Sequence, residues 1–95
     1  MFEVHPGSIL RDELEARSMS GNALALALRI NSGRISEILN ERRAISPDTA
    51  LRLGRYFGND PQFWLSLQSA FDLAVAEREN GEKIVREVIP AQTAA

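Results

Sequence analysis

The arginines are the residues through which this chain could most readily do chemistry, because a guanidinium group binds phosphate in a bidentate manner. Between residues 29 and 56, six arginines stand against three acidic residues, so this segment carries a net charge of +3, whereas the flanks carry −2 and −3. The arginines are Arg29, Arg34, Arg42, Arg43, Arg52 and Arg55. This distribution indicates a surface for a polyanion in the middle of the chain, although an ordinary solvated face would have the same charge.

Residues suited to catalysis are few. His5 is the only histidine and no cysteine accompanies it, so we interpret it as a turn or capping residue rather than a general base or ligand. Asp12 and Glu13 are neighbours and point in different directions from a helix, which excludes a paired acid/base site. No Gly-rich phosphate loop, nucleophile elbow or metal motif is present. We therefore expect no enzyme activity, no metal site and no cofactor.

Length and composition predict a single folded domain. A chain of 95 residues has room for one core, and 44% hydrophobic with 25% charged residues is typical of globular proteins. The N-terminus lacks a basic signal region, and no stretch approaches the roughly 18 apolar residues of a membrane span. We expect a cytoplasmic protein without a membrane partner.

Apolar spacing and capping residues predict three helices in the first half of the chain. The first begins at Pro6, and Ser20 is suited to cap the second. The alternation in "ALALAL" also fits a strand, but alanine spacers favour a helix. Asn31 or Ser32 caps a third helix whose apolar stripe is Ile35, Ile38 and Leu39.

Two further helices and a tail complete the predicted order. Ser46-Pro47-Asp48 starts the fourth helix, which ends at Gly58-Asn59, and Asp60-Pro61 starts the fifth, which ends at Gly81. On the fifth helix we expect Trp64 and Phe71 in the core and Phe63 on the surface. The segment from Ile84 to Ile89 could be a strand or a helical turn, and we favour a strand. Residues 1–80 would then form the domain, and residues 81–95 a tail with a possible dimerisation strand.

The second and third helices, joined by a tight turn, are typical of a helix-turn-helix motif, in which the second helix enters the major groove. The order and spacing of "HPG", "RISEILN", "RAISPDTALRL" and "FWLSLQ" resemble the HigA-type (VapI-like) antitoxins, a branch of the Xre/Cro/lambda-repressor-like proteins. The resemblance covers nearly the whole chain. It implies an all-α, five-helix lambda-repressor-like helix-turn-helix domain, here with a short C-terminal strand or turn.

The sequence departs from the family pattern at two positions. Arg29 stands where the turn often has glycine, so we expect it to adopt a left-handed backbone. Glu41 stands where Asn-Gly-Lys is common after the recognition helix, and it adds a negative charge close to the expected DNA phosphates.

The resemblance implies two partners. One is operator DNA overlapping the protein's own promoter, and the other is a HigB-type toxin, a ribosome-associated endoribonuclease that cleaves mRNA. The alternative is a stand-alone helix-turn-helix transcriptional regulator or a protein-interaction adaptor without a toxin. The acidic total charge favours the adaptor, whereas the arginines around the motif favour DNA binding, which we prefer. We also expect a homodimer, because one recognition helix reads only a few base pairs and a symmetric pair reads two half-sites.

Position along the third helix separates expected base contacts from phosphate contacts. Arg34 and Ser32 lie near its N-terminal end and should face base edges, with Glu37 able to accept a hydrogen bond from cytosine N4. The helix ends and the following loop should contact phosphates. The predicted DNA-binding residues are Ser20, Asn22, Asn31, Ser32, Gly33, Arg34, Glu37, Asn40, Arg42 and Arg43.

Acidic and apolar residues outside the motif are assigned to protein partners. Asp12, Glu13 and Glu15 on the first helix would face a basic toxin, with the region of Asp72, Glu77 and Glu79 as second choice, although these acids could simply solubilise the domain. Apolar residues at the end of the fifth helix and in "KIVREVI" are assigned to the dimer interface.

Overall fold

Five α-helices form the fold of residues 3–92, which are the residues that the computed structural model describes. They are α1 (Pro6–Ala16), α2 (Gly21–Leu28), α3 (Ser32–Leu39), α4 (Pro47–Phe57) and α5 (Pro61–Glu87). Each begins after a residue whose side chain accepts a backbone N–H of the first turn, namely His5, Ser20, Asn31, Ser46 and Asp60. The all-α, five-helix prediction is confirmed, and so is the capping role of His5.

The predicted C-terminal strand is wrong. α5 is 27 residues long and continues through Gly81 to Glu87, so the expected stop at Gly81 is also wrong, and the predicted boundary between residues 80 and 81 lies within this helix. A glycine inside a helix costs only about 1 kcal/mol, and the charged residues around it are good helix formers. An isolated strand would also lack a pairing partner, since residues 3–92 contain no other strand.

Buried apolar side chains from all five helices and the α3–α4 loop build one core, with Trp64 of α5 only 1% exposed. Phe71 is half-buried, and its ring packs edge-on against His5 with 4.9 Å between centroids. Trp64 is thus a core residue and Phe63 is exposed, as predicted, whereas Phe71, which was predicted in the core, is only half-buried. The other large core side chains are Leu10, Leu14, Leu24, Leu28, Ile35, Ile38, Ile45 and Leu53.

Gly7 allows α1 to approach the back of α3 closely. A Cβ atom on Gly7 would lie 1.9 Å from the backbone oxygen of Ile38, far inside contact distance. Since Ile35 and Ile38 are fully buried, this close approach fixes which side of α3 faces the core. The opposite side of α3 is therefore presented to solvent.

The loop between α3 and α4 is attached to α5 through a buried amide. The backbone N–H of Ile45 donates to Oε1 of Gln68 at 2.9 Å, and Nε2 of Gln68 donates to Oδ1 of Asp72 at 2.9 Å. Both polar ends of the amide are thus satisfied. The loop that carries Arg42 and Arg43 consequently starts at α3 and ends at a fixed point on the core.

Candidate nucleic-acid interface

The turn between α2 and α3 is tight because only Arg29 and Ile30 lie between the last residue of α2 and Asn31, which caps α3. Arg29 ends α2 with a left-handed backbone (φ 60°, ψ 41°), as expected from the sequence. The N–H of Ile30 then donates to Ala25 O at 3.0 Å, and Asn31 caps α3 by accepting the N–H of Gly33 at 2.7 Å. α2 and α3 are thereby held as a helix-turn-helix unit.

One face of α3 is polar and exposed. It consists of Ser32, Gly33, Ser36, Glu37 and the capping residue Asn40. With 100° between successive residues, this face lies opposite the buried stripe of the helix. The side chains on it are short, apart from that of Glu37, so the helix backbone can come close to a bulky ligand.

Arg34 lies at the flank of this face and is half-buried. It is two residues beyond Ser32, a step of about 200° around the helix, so its side chain leaves the helix on another side from the serines. Arg34 therefore belongs to the edge of the exposed face of α3 rather than to its centre.

Glu37 and Arg43 form an ion pair across the end of α3. Nη2 of Arg43 lies 3.2 Å from Oε1 of Glu37, and both side chains are about half exposed, at 47% and 48%. A surface pair of this kind contributes about 0–1 kcal/mol to stability. It neutralises the carboxylate on the exposed face of α3 and orients Arg43 toward the same surface.

The end of α3 is a second left-handed position. Glu41 has φ 61°, and the N–H of Arg42 donates to Glu37 O at 2.8 Å. Glycine takes this conformation without strain, whereas a residue with a Cβ costs about 1–2 kcal/mol. The chain thus takes a left-handed turn at both Arg29 and Glu41, the two positions where the sequence lacks the expected glycine pattern.

A polar cleft of about 350 Å³ lies on the surface between α3 and the start of α2, with one residue of α1 at its wall. It contains four of the predicted DNA-binding residues, Ser20, Asn22, Ser32 and Asn40. The other residues that line it are Arg11, Gly21, Ser36 and Leu39. Hydroxyl and amide donors beside one guanidinium are groups that proteins use to bind nucleic-acid phosphates.

Comparison with known proteins agrees with this geometry. The Helix-turn-helix family profile matches residues 10–64. Virulence-associated protein I of Dichelobacter nodosus is 48% identical to the chain over its whole length and 87% of that relative. The chain belongs to the helix-turn-helix family of HigA-type, VapI-like antitoxins. This is a family of DNA-binding regulators and antitoxins, not of enzymes.

Two solved structures of HigA-type antitoxins superpose on nearly the whole chain. An addiction module antidote protein of the HigA family from Coxiella burnetii has a TM-score of 0.93 and 48% identity, covering 96% of this chain and 100% of that one. The Pseudomonas aeruginosa antitoxin HigA, solved with its higBA promoter, has a TM-score of 0.93 and 46% identity, with the same coverage. The family's fold therefore extends along α5 as well as the motif.

The fold brings only part of the predicted DNA-binding set into the cleft. Asn31, Gly33, Glu37, Arg42 and Arg43 are exposed at the ends of α3, on its outer face or in the loop after it. They lie outside the residues that line the cleft. The predicted set is thus divided between the cleft, the exposed face of α3, the flank of that face, where Arg34 lies, and the following loop.

The sequence reasoning left out two polar residues of the cleft, Ser36 and Arg11. Ser36 is four residues after Ser32 and shares its face, so helical periodicity places it there. Arg11 has no such signal, because it belongs to an acidic first helix far along the chain from the motif. Only the packing of α1 against α3 brings its guanidinium to the end of α3.

The acidic residues of α1 are not equivalent. Asp12 and Glu15 are exposed, whereas Glu13 is half-buried and pairs with Arg17 at 3.0 Å. Arg17 in turn lies 4.8 Å from the centre of the Phe57 ring. The carboxylates that α1 offers without a cationic partner, within the part of the chain that the structure describes, are those of Asp12 and Glu15.

Nothing between residues 3 and 92 forms a helix that is both long and apolar enough to cross a membrane.

Proposed function

We propose that this protein is an antitoxin that binds operator DNA as a homodimer, represses its own operon and neutralises a HigB-type toxin. The observation that carries the DNA-binding part is the polar outer face of α3 beside a polar cleft, in a fold that superposes with a TM-score of 0.93 on an antitoxin solved with its promoter. Such a function places the protein in the cytoplasm with the chromosome.

Base reading is assigned to α3, and anchoring to its ends. Ser32 and Glu37 lie on the exposed face, where they can meet base edges, and Arg34 approaches from the flank. Asn31, Asn40, Arg42 and Arg43 are exposed at the helix ends and in the loop, where phosphates border the major groove. Of the remaining predicted contacts, Gly33 belongs to the first turn of α3, and Ser20 and Asn22 lie at the start of α2 beside it.

DNA binding is tested with the fragment upstream of the protein's own gene. Fluorescence anisotropy at fixed salt should show tighter binding to this fragment than to a scrambled one. Arg34→Ala should relax the preference at one operator position, whereas Arg42→Ala should weaken binding to both fragments alike. Equal affinity of the wild-type protein for both fragments would contradict operator recognition, and a preference altered only by Arg42→Ala would reverse the two assignments.

The dimer interface is assigned to the end of α5 and the residues just after it. No residue of this helix after Ala74 is buried. Val85 on the helix is 78% exposed, and Val88 and Ile89, which follow it, are 61% and 80% exposed. Together with Ile84 they form an apolar stripe that the monomer leaves in water. A second copy is the occupant we propose, because one recognition helix reads few base pairs and a symmetric pair reads two half-sites about one turn apart.

Sedimentation at micromolar concentration tests the dimer. We expect a dimer mass for the wild-type protein, and a monomer mass for a variant with both Val85→Asp and Val88→Asp, since two buried charges would be left unpaired. Leu26→Asp, on α2 and 76% exposed, is the matched control and should stay dimeric. A monomeric wild-type protein would overturn the assignment.

The toxin-neutralising part rests on family membership and on the acidic side of α1. A toxin that acts on mRNA presents a basic face, which the carboxylates of Asp12 and Glu15 complement. Co-expression with the small basic protein encoded next to the gene, followed by co-purification of the pair, tests this part. If no such toxin is encoded or bound while DNA binding remains, the protein is a stand-alone transcriptional regulator, a reading that the internal pairing of Glu13 with Arg17 favours.

A further inference from the structure

We infer that Arg11 of α1 binds a DNA phosphate and, at the same time, holds the end of the recognition helix. This inference rests on the proposed DNA-binding function and adds a residue outside the helix-turn-helix motif to it. It assigns the cleft between α1, α2 and α3 to one phosphodiester group of the operator backbone.

Arg11 is attached to the end of α3 by one side of its guanidinium. Nη2 donates to the carbonyl oxygen of Leu39 at 2.8 Å, and it lies 3.4 Å from Oδ1 of Asn40. The carbonyl of Leu39 belongs to the last turn of α3, where carbonyls lack partners within the helix and a cation is favoured. The position of Asn40, a predicted phosphate contact, is therefore fixed from α1.

The other side of the guanidinium has hydrogen-bonding capacity to spare. Arginine carries five N–H groups, and the bonds to Leu39 and Asn40 both start from Nη2. Within residues 3–92, Nε and Nη1 of Arg11 donate to no protein acceptor. The N–H groups of Nε and Nη1 point to different edges of the guanidinium plane, so either one can donate a single charge-assisted hydrogen bond to a phosphate oxygen.

The charge of Arg11 has no carboxylate partner within residues 3–92. Four arginines form ion pairs, which are Arg17–Glu13, Arg43–Glu37, Arg52–Asp48 and Arg78–Glu3. Arg11 contacts only neutral oxygens among the described residues, and it is the one charged residue among those that line the cleft. The cleft thus has a positive charge that no carboxylate on its walls compensates.

A phosphodiester fits these groups better than a multiply charged anion does. It carries one negative charge, which the guanidinium balances, and it accepts hydrogen bonds from neutral donors such as Ser20, Ser36 and Asn22, which line the cleft. The cleft borders the exposed face of α3, and a helix lying in the major groove has phosphates on both sides. DNA docked on α3 would therefore bring a backbone phosphate toward Arg11.

The salt dependence of operator binding tests a phosphate contact directly. Arg11→Gln should weaken binding about tenfold and lower the slope of log K against log salt by about 0.9 for each protomer. Arg55→Gln is the matched control, because Arg55 is exposed on α4 outside the cleft, and it should leave the slope unchanged. An unchanged slope for Arg11→Gln would overturn the inference, even where affinity falls.

Two further measurements separate this contact from a purely structural role. Arg11→Lys keeps the charge and should retain the wild-type slope with reduced affinity. A second measurement uses operators in which one phosphate is replaced by a neutral methylphosphonate. At one position this replacement should lower the affinity of the wild-type protein but not that of Arg11→Gln. If the replacement and the mutation lower affinity additively at every position, the inference is overturned. Wild-type protein that fails to prefer the operator would instead contradict the proposed function itself.

Discussion

Nη1 of Arg52 on α4 donates a hydrogen bond to the carbonyl oxygen of Leu28, 2.9 Å away, at the last residue of α2. Nε of the same side chain donates to Asp48 at 2.9 Å, so the guanidinium connects α2 to α4. Arg11 makes the corresponding bond to Leu39 at the end of α3. Each helix of the motif is thus held at its C-terminus by an arginine from a neighbouring helix, where a cation is favoured.

Loss of the Arg52 bond should destabilise the fold. We expect Arg52→Met to lower the free energy of unfolding by about 1–2 kcal/mol, because a part-buried carbonyl loses its charged donor. Urea denaturation followed by circular dichroism measures the change. Arg55→Met on the same helix is the control and should change stability by less than about 0.5 kcal/mol. Equal effects of the two variants would show that the Leu28 contact contributes nothing.

Two glycines inside helices should respond to alanine with opposite signs. At Gly7 the new Cβ would lie 1.9 Å from the backbone oxygen of Ile38, so α1 must move away from α3, and we expect a loss of about 1–3 kcal/mol. At Gly81 the nearest atom is Cγ of Glu77 at 3.5 Å, an ordinary contact. Gly81→Ala should therefore stabilise the protein by about 0.5–1 kcal/mol through helix propensity.

Thermal unfolding of both variants checks these signs in one experiment. Gly7→Ala should lower the melting temperature and Gly81→Ala should raise it. A destabilised Gly81→Ala variant would mean that α5 does not continue through residue 81 in solution. A Gly7→Ala variant as stable as wild type would mean that the contact between α1 and α3 is looser than the structure shows.

Local signals in the sequence determined where helices begin but not where the last one ends. Ser20, Ser46 and Asp60 are capping residues within two or three positions of the N–H groups they accept, so the chain alone reveals them. Gly81 is an ambiguous signal, because glycine either ends a helix in a left-handed conformation or continues it at small cost. Within residues 3–92 no strand is present to pair with such a segment, and strand pairing depends on the whole fold, which local signals do not encode.

The same distinction applies to the candidate site. Ser32 and Glu37 were identified because helical periodicity separates them from Ile35 and Ile38. Arg11 was missed because contact between residues 11 and 39 depends on how α1 packs on α3, which no local pattern encodes. Arg52 was counted among the arginines available for a polyanion. Its guanidinium instead donates to Leu28 and Asp48, so its role is to hold α2 against α4.

The Glu37–Arg43 pair should limit the protein's affinity for DNA in general. On non-operator DNA, where Glu37 reads no base and stays paired with Arg43, Glu37→Gln should free Arg43 for a phosphate, so we expect tighter binding to this DNA and a salt slope steeper by about 0.9 for each protomer. Discrimination at the base pair read by Glu37 should fall. Anisotropy titrations at several salt concentrations, with operator and scrambled DNA, measure all three effects.

Glu41→Gln is the matched control for this prediction. It also removes one exposed negative charge next to the recognition helix, but Glu41 holds no arginine through an ion pair within residues 3–92. It should raise affinity modestly and leave the salt slope unchanged. Identical slopes for the two variants would show that Arg43 makes no phosphate contact once it is released.

Toxin binding should depend on the exposed acids of α1. Neutralising Asp12, Glu13 and Glu15 together should lower the association rate with the toxin about tenfold or more at low salt, because these charges steer the encounter with a basic face. Since Glu13 is already paired with Arg17 at 3.0 Å, a variant with only Asp12→Asn and Glu15→Gln should show most of the effect. Stopped-flow or surface-plasmon measurements at several salt concentrations give the rate.

The control for the toxin prediction is an equal change of charge on α5. Asp72→Asn, Glu77→Gln and Glu79→Gln remove the same three charges from another surface, and they should leave the association rate close to wild type at every salt concentration. Operator binding must remain intact in both variants, because neither surface includes α3 or the cleft. If the α5 variant slows association and the α1 variant does not, the toxin docks on α5. The acids of α1 would then contribute only to solubility, because the carboxylates of α5 would be the charges that attract the toxin.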